Sequence, residues 1–141
     1  MEKDVLISAM EELLRCRKNA QRSVLSQSSL HIGQPEMLFY IHEHPGCSQK
    51  QIADEIHVTP ASVATSLKRL EKNRLITRRA DTADTRCNRV YITQAGEREL
   101  DFCCNGLEQI DNVLTNLISD DEMRIMESLL SRMRASLKIG K

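Results

Sequence analysis

Two helix-start signals, at Ser48 and Thr59, constrain this chain more than any other feature of it. Ser48-Gln49-Lys50-Gln51 has the S-x-x-Q form of a capping box, in which a hydroxyl and a side-chain amide each satisfy one backbone N–H of a first helical turn. Thr59-Pro60 is a second start: threonine caps, and proline takes the first helical position, where no N–H is needed. Ile52, Ala53 and Ile56 give the first helix its buried face, and His57-Val58 is a brief connection. Val63, Leu67 and Leu70 mark the inward face of the second, to about residue 73. Two short helices joined this tightly predict a helix-turn-helix.

The flanks read in longer units. Leu6, Ala9, Leu13, Ala20 and Val24 lie near helical spacing over residues 2–27, and Ser26 to Ser29 is a polar break. Pro35 suits the first turn of another helix, whose apolar face is Met37, Leu38 and Ile41 with the flanking Phe39 and Tyr40. It stops at His44-Pro45-Gly46. After residue 73 the period changes. Ile76 to Ala80 and Asn88 to Ile92 read as short strands around a polar turn, Asp81 to Cys87. Thr93 can cap a long helix carrying Leu100, Cys103, Leu107, Ile110, Leu114 and Leu117, the alternating three-and-four spacing of a helix–helix seam. Ser119 to Glu122 is another capping box, and Met123, Met126, Leu130, Met133 and Leu137 continue the rhythm.

Composition removes several classes of function. Apolar residues are 40% of the 141 and aromatic residues 3%, with no Trp, so the chain is globular with an aliphatic core. No apolar run approaches the length of a membrane span, and the start lacks a secretory signal, so the expected place is the cytoplasm and no membrane partner is expected. None of the five cysteines forms a C-x-x-C pair, and no glycine-rich phosphate cradle occurs. His31, His42, His44 and Cys47 are close in sequence, but His42 and His44 point to different faces of a helix, so neither a metal nor another cofactor is expected.

The 20 bases balance the 20 acids, which argues against a polyanionic partner until their distribution is followed. From Lys68 to Arg89 there are eight bases and three acids, so the rest of the chain carries the compensating negative charge. Residues 97–122 hold eight acids and one base, which DNA would repel. On the second helix of the pair, Pro60, Ala61, Ser62, Thr65, Ser66, Lys68 and Arg69 face outward. Small side chains there allow close approach to bases and phosphates, hydroxyls can donate or accept, and methyls can touch thymine. An arginine at a hairpin tip suits a narrow minor groove.

At this point the residues carry a family resemblance. Asp84-Thr85-Arg86, followed by Ile92-Thr93-Gln94-Ala95-Gly96, resembles the D-x-R…(L/I)-T-x-x-G signature of the MarR family of winged helix-turn-helix regulators. Ser48 to Ala53 and Leu70 to Arg78 are similar to that family's helix-turn-helix segments. Two departures are Arg89, before the apolar pair of the second strand, and His57, where such turns often have glycine. The implied fold is mainly α with a two-strand β-wing: one domain over residues 1–141, with a DNA-binding lobe at 35–93 and dimerisation helices at 1–34 and 94–141.

The implied function is a homodimeric transcriptional repressor that reads an inverted repeat in double-stranded DNA. Residues 59–73 would be the recognition helix, and Asp81 to Cys87 the wing tip. Expected DNA contacts are Ser48, Gln49, Lys50, Thr59, Pro60, Ala61, Ser62, Thr65, Ser66, Lys68, Arg69, Arg79, Arg86 and Arg89, with Asp84 orienting Arg86 in the minor groove. Leu6, Leu13, Leu130, Met133 and Leu137 are expected at the dimer interface. In this family an effector pocket lies between the lobe and the dimer helices, where Cys16, Met37 and Tyr40 could contribute, and some members sense oxidation. Cys16 and Cys103 otherwise read as buried thiols, whereas Cys87 and the Cys103-Cys104 neighbours are candidates for redox chemistry. A protein-interaction module without DNA binding is the alternative. No nucleophile–base arrangement is recognisable, so no enzyme activity is expected.

Overall fold

The helix starts expected at Ser48, Thr59, Thr93 and Ser119 are closed by side chains, whereas the one before Pro35 follows Gly33 without a side-chain cap. In the computed structural model, which describes residues 2–139, Ser48 Oγ accepts the Gln51 N–H at 3.1 Å and Gln51 Oε1 accepts the Ser48 N–H at 2.8 Å. This box opens α3 (Gln49–Ile56), and Thr59 Oγ1, accepting the Ser62 N–H at 3.2 Å, opens α4 (Pro60–Lys72). Upstream lie α1 (Glu2–Leu25) and α2 (Gln34–Glu43). Thr93 Oγ1 accepts the Gly96 N–H to start α5 (Gln94–Thr115), and the reciprocal Ser119–Glu122 bonds start α6 (Asp120–Ile139). Met1, Gly140 and Lys141, the outermost positions of the expected arms, lie outside the described residues.

The ends of α3 and α4 are less conventional. His57 leaves α3 in the left-handed region at φ 54°, letting the Val58 N–H reach the Ala53 carbonyl. Arg74 does the same after α4 at φ 60°, and the Leu75 N–H closes back onto the Leu70 carbonyl at 2.9 Å. Glycine usually fills such positions because it lacks the Cβ that crowds them.

The sheet has three strands where the sequence predicts two. β2 (Ile76–Ala80) and β3 (Asn88–Ile92) form the expected hairpin, pairing Ile76 with Ile92 and Arg79 with Arg89. β3 is central: β1 (Cys47–Ser48) pairs with its other edge, Cys47 against Val90 and Ser48 against Arg89. Two residues carry no readable periodicity, which is why this strand escapes the pattern. Ser48 is thus both a strand residue and the cap of α3.

The chain divides into two compact units, Met1–Leu107 and Glu108–Lys141. In the first, Leu38 and Ile41 of α2, Ile52 of α3, Val63, Leu67 and Leu70 of α4, and Ile76 and Val90 of the sheet are sealed from solvent. Phe39, expected on the apolar face of α2, is exposed instead, since the buried stripe runs through Met37, Leu38 and Ile41. Cys16, read as a core position, is also exposed, because α1 buries only Leu25 near its C-terminal end. In the second unit no described residue is buried, and Leu117, Leu130 and Leu137 stand open. Among the described residues no helix is long and apolar enough to cross a membrane.

Candidate nucleic-acid interface

α4 buries Val63, Leu67 and Leu70, which turns the other side outward. Pro60, Ala61, Ser62, Thr65, Lys68 and Arg69 are exposed as expected, and Ser66 is half-buried. Local hydrogen bonds give the hydroxyls a direction. Thr59 donates its proton to Ser62 Oγ at 3.0 Å, so the Ser62 hydroxyl is left to donate outward. Thr65 donates to the Ala61 carbonyl at 3.1 Å, which leaves its oxygen as an acceptor and its methyl exposed. Donor, acceptor and methyl within two turns are the elements that read base edges in a major groove. Ser48 is half-buried with its hydroxyl engaged in the cap, while Lys50 is exposed beside it.

The charge surplus of the wing segment resolves into named groups. Each of its three acids is paired with one arginine. Glu71 takes both Nε and Nη2 of Arg78, at 2.9 and 3.1 Å. Asp81 holds Arg89 at 2.7 Å, and Asp84 holds Arg86 at 3.3 Å. Arg78 is therefore a clasp between the end of α4 and β2, largely covered, and adds nothing to a phosphate surface. Its hydrogen bonds hold the Glu71 carboxyl below its ordinary range. Lys68, Arg69, Lys72 and Arg74 carry no ion pair among the described residues, and Arg79 lies over the Tyr91 ring, 5.2 Å from its centre. These five account for the whole surplus.

At the wing tip Asp84 Oδ1 accepts both the backbone N–H of Arg86, at 3.0 Å, and its Nε. The Arg86 side chain is 91% exposed, so Asp84 aims the arginine without covering it. Sequence reasoning missed Gly46, Asp81 and Tyr91, which anchor the base of the wing. The signal available was the hairpin register, which sets Arg79 against Arg89 and demands that something separate them.

The other singled-out residues fall elsewhere. Met37 is in the core, Tyr40 stacks on His44, and Cys16 is exposed on α1. A cleft of about 660 Å³ lies at the α1–α2 connection, lined by Arg22, Leu25, Ser28, Ser29, Leu30 and His31. Burial pushes the Cys47 and Cys103 thiols up, which disfavours the thiolate that oxidation needs, and the exposed Cys104 is raised too, by partial desolvation and the Asp101 carboxylate. Cys87 is exposed and approaches Asp84 Oδ2 at 3.7 Å. Leu6 and Leu13 on α1, and Leu130 and Leu137 on α6, are exposed, and Met133 is half-buried.

The family model described as the MarR family matches residues 30–88, from the start of α2 through the wing. The chain is 23% identical over 112 residues to the HTH-type transcriptional regulator BilQ of Clostridium symbiosum, covering 79% of this chain and 78% of that protein. It is 28% identical over 93 residues to the transcriptional regulator HosA of Escherichia coli, covering 66% and 69%. Its fold is similar to the S. aureus MepR–DNA complex, with a TM-score of 0.81 at 24% identity, over 92% of this chain and 96% of that one.

Proposed function

We propose that this chain, whose residues 30–88 match the MarR family model, is a winged helix-turn-helix transcriptional regulator that binds duplex DNA as a homodimer through α4 and the wing. The single observation that carries the reading is the unpaired basic surplus flanking an outward face of small polar residues, with Arg86 aimed by Asp84 at the wing tip. MepR, which shares the fold, is a protein seen on DNA. α4 enters the major groove; Arg86 enters the minor groove. Lys50, beside the N-terminus of α3, meets the backbone, where helix N–H groups favour phosphate.

The dimer reading follows from what one chain leaves uncovered. Leu6, Leu13, Leu130, Met133 and Leu137 sit on helices whose apolar faces find little cover within their own units. A second copy would cover them and set two recognition helices about one DNA turn, roughly 34 Å, apart. The protein then works in the cytoplasm as a repressor, relieved when an effector changes the spacing of those helices. The cleft at the α1–α2 connection offers a place for such an effector, beside the set Cys16, Met37 and Tyr40. Selection of bound sequences from a random duplex library tests the reading. Enrichment of an inverted repeat is the expected result. No enrichment over input would leave the protein-interaction reading instead.

A further inference from the structure

The hairpin register sets two arginines face to face. Arg79 of β2 pairs with Arg89 of β3, and like charges directly opposite repel. Arg79 moves onto the Tyr91 ring. Arg89 turns to three acceptor contacts: Nη2 lies 2.7 Å and Nε 2.9 Å from Asp81 Oδ2, and Nη1 donates to the Gly46 carbonyl at 3.1 Å. Gly46 is engaged twice more by the same strand. Its N–H donates to the Val90 carbonyl at 2.9 Å, and the Tyr91 hydroxyl oxygen lies 3.1 Å from where a Cβ would stand. Asp81 heads the wing loop: its N–H donates to the Cys87 carbonyl at 2.9 Å, and its Oδ1 accepts the Ala83 N–H at 2.8 Å. One guanidinium therefore links the loop at the wing tip to the turn that precedes β1.

We propose that Arg89 is a positioning residue and not a phosphate contact: with Asp81 it latches the base of the wing to the Gly46 turn and sets the pitch at which Arg86 meets DNA. The inference rests on the DNA-binding reading above. The Arg86 side chain is 91% exposed, whereas Arg89 places three of its donors on Asp81 and Gly46 and is 45% exposed. Asp81 is largely covered, so pulling Arg89 away to a phosphate would strand a poorly solvated carboxylate.

The two roles predict opposite signs for Asp81→Asn. Asparagine keeps an oxygen for the Ala83 N–H but loses the charge that holds Arg89. On a wing facing DNA, deleting a negative charge and freeing an arginine tightens binding if Arg89 is there for phosphate. If Arg89 is a latch, the same change weakens binding. Arg89→Lys separates them again, since lysine retains a phosphate-seeking charge but not the fork that spans Asp81 and Gly46.

The experiment measures affinity by fluorescence anisotropy for wild type, Asp81→Asn, Arg89→Lys, Arg89→Ala and the Asp81→Asn/Arg89→Ala pair. The probe is the duplex that wild type selects from a random library, beside random-sequence duplex, across a salt series. The latch predicts a loss of about ten-fold in each single variant, no further loss in the pair, and an unchanged salt slope. Tighter binding by Asp81→Asn, with Arg89→Ala lowering the salt slope by about one unit, would overturn it. Amide exchange of the DNA-free protein is the second readout. Faster exchange at Gly46, Asp81 and Cys87 in Asp81→Asn supports the latch, and unchanged protection there refutes it even if affinity falls. Wild type binding neither duplex would instead refute the DNA-binding reading, with the exchange result still judging the latch.

Discussion

His57 turns the chain out of α3 at φ 54°, a conformation in which its Cβ is crowded. Its side chain is exposed and makes no bond on which the turn depends. His57→Gly should therefore raise stability by about 0.5–1 kcal/mol, the relief being partly offset by the greater freedom glycine gives the unfolded chain. Urea titration measures this, and a lower midpoint would contradict it. Gly96 is the opposite case. A Cβ there would collide with the Leu75 carbonyl oxygen and come 2.8 Å from Ile92 Cγ1, where α5 crosses the wing's base. Gly96→Ala should cost about 3 kcal/mol or more, read in the same titration. Both sites bear on legibility. The glycine of the Ile92-to-Gly96 motif was visible in the sequence, but its cause, a backbone carbonyl in the way, was visible only in space. His57 was noticeable as a departure from glycine, and the left-handed φ shows the departure to be strained rather than accommodated.

At the level of elements, capping and turn chemistry made the helices legible. Ser48, Thr59, Thr93 and Ser119 all cap where their side chains predicted. The electrostatic grouping was less legible, because a count of charges does not say which are paired. Arg78 reads as one more wing base, yet it clasps Glu71 and joins α4 to β2. That clasp has a pH signature. Arg78 depresses the Glu71 carboxyl, so its contribution is complete above the ordinary carboxyl value of 4.5 and is lost as pH falls through the lowered folded value. Glu71→Gln should reduce stability at pH 7 by up to about 1 kcal/mol, and wild type and variant should converge in acid. A constant gap from pH 7 to strong acid, followed by thermal melts, would contradict the clasp. For the exposed bases the expectation concerns DNA. Arg86→Ala should weaken binding by about 1–3 kcal/mol, and Lys68→Ala should lower the salt slope by about one unit, both read by titration across salt.

Across the whole molecule, the balance of 20 bases and 20 acids conceals a polarity. Five unpaired bases gather on α4 and the wing, while the acids crowd α5 and the start of α6. The polarity was legible from the sequence, as was the excess of apolar seam. The degree to which one chain leaves that seam uncovered was not, since exposure depends on which faces the folded units hide. If α6 carries the proposed dimer interface, Leu130→Asp should shift the protein from dimer to monomer in sedimentation velocity and abolish binding to an inverted repeat, while leaving the fold of the wing lobe intact by circular dichroism. A variant that still sediments as a dimer would move the interface elsewhere. Ser48 carries a last consequence. It ends the shortest strand and begins α3, so the edge of the sheet and the entrance to the helix-turn-helix are one residue. The residue that pairs with Arg89 is also the one whose hydroxyl holds the Gln51 amide. The Gln51 amide should therefore serve as a reporter of that edge: its hydrogen exchange is expected to speed up when β1 separates from β3, and unchanged exchange would contradict this.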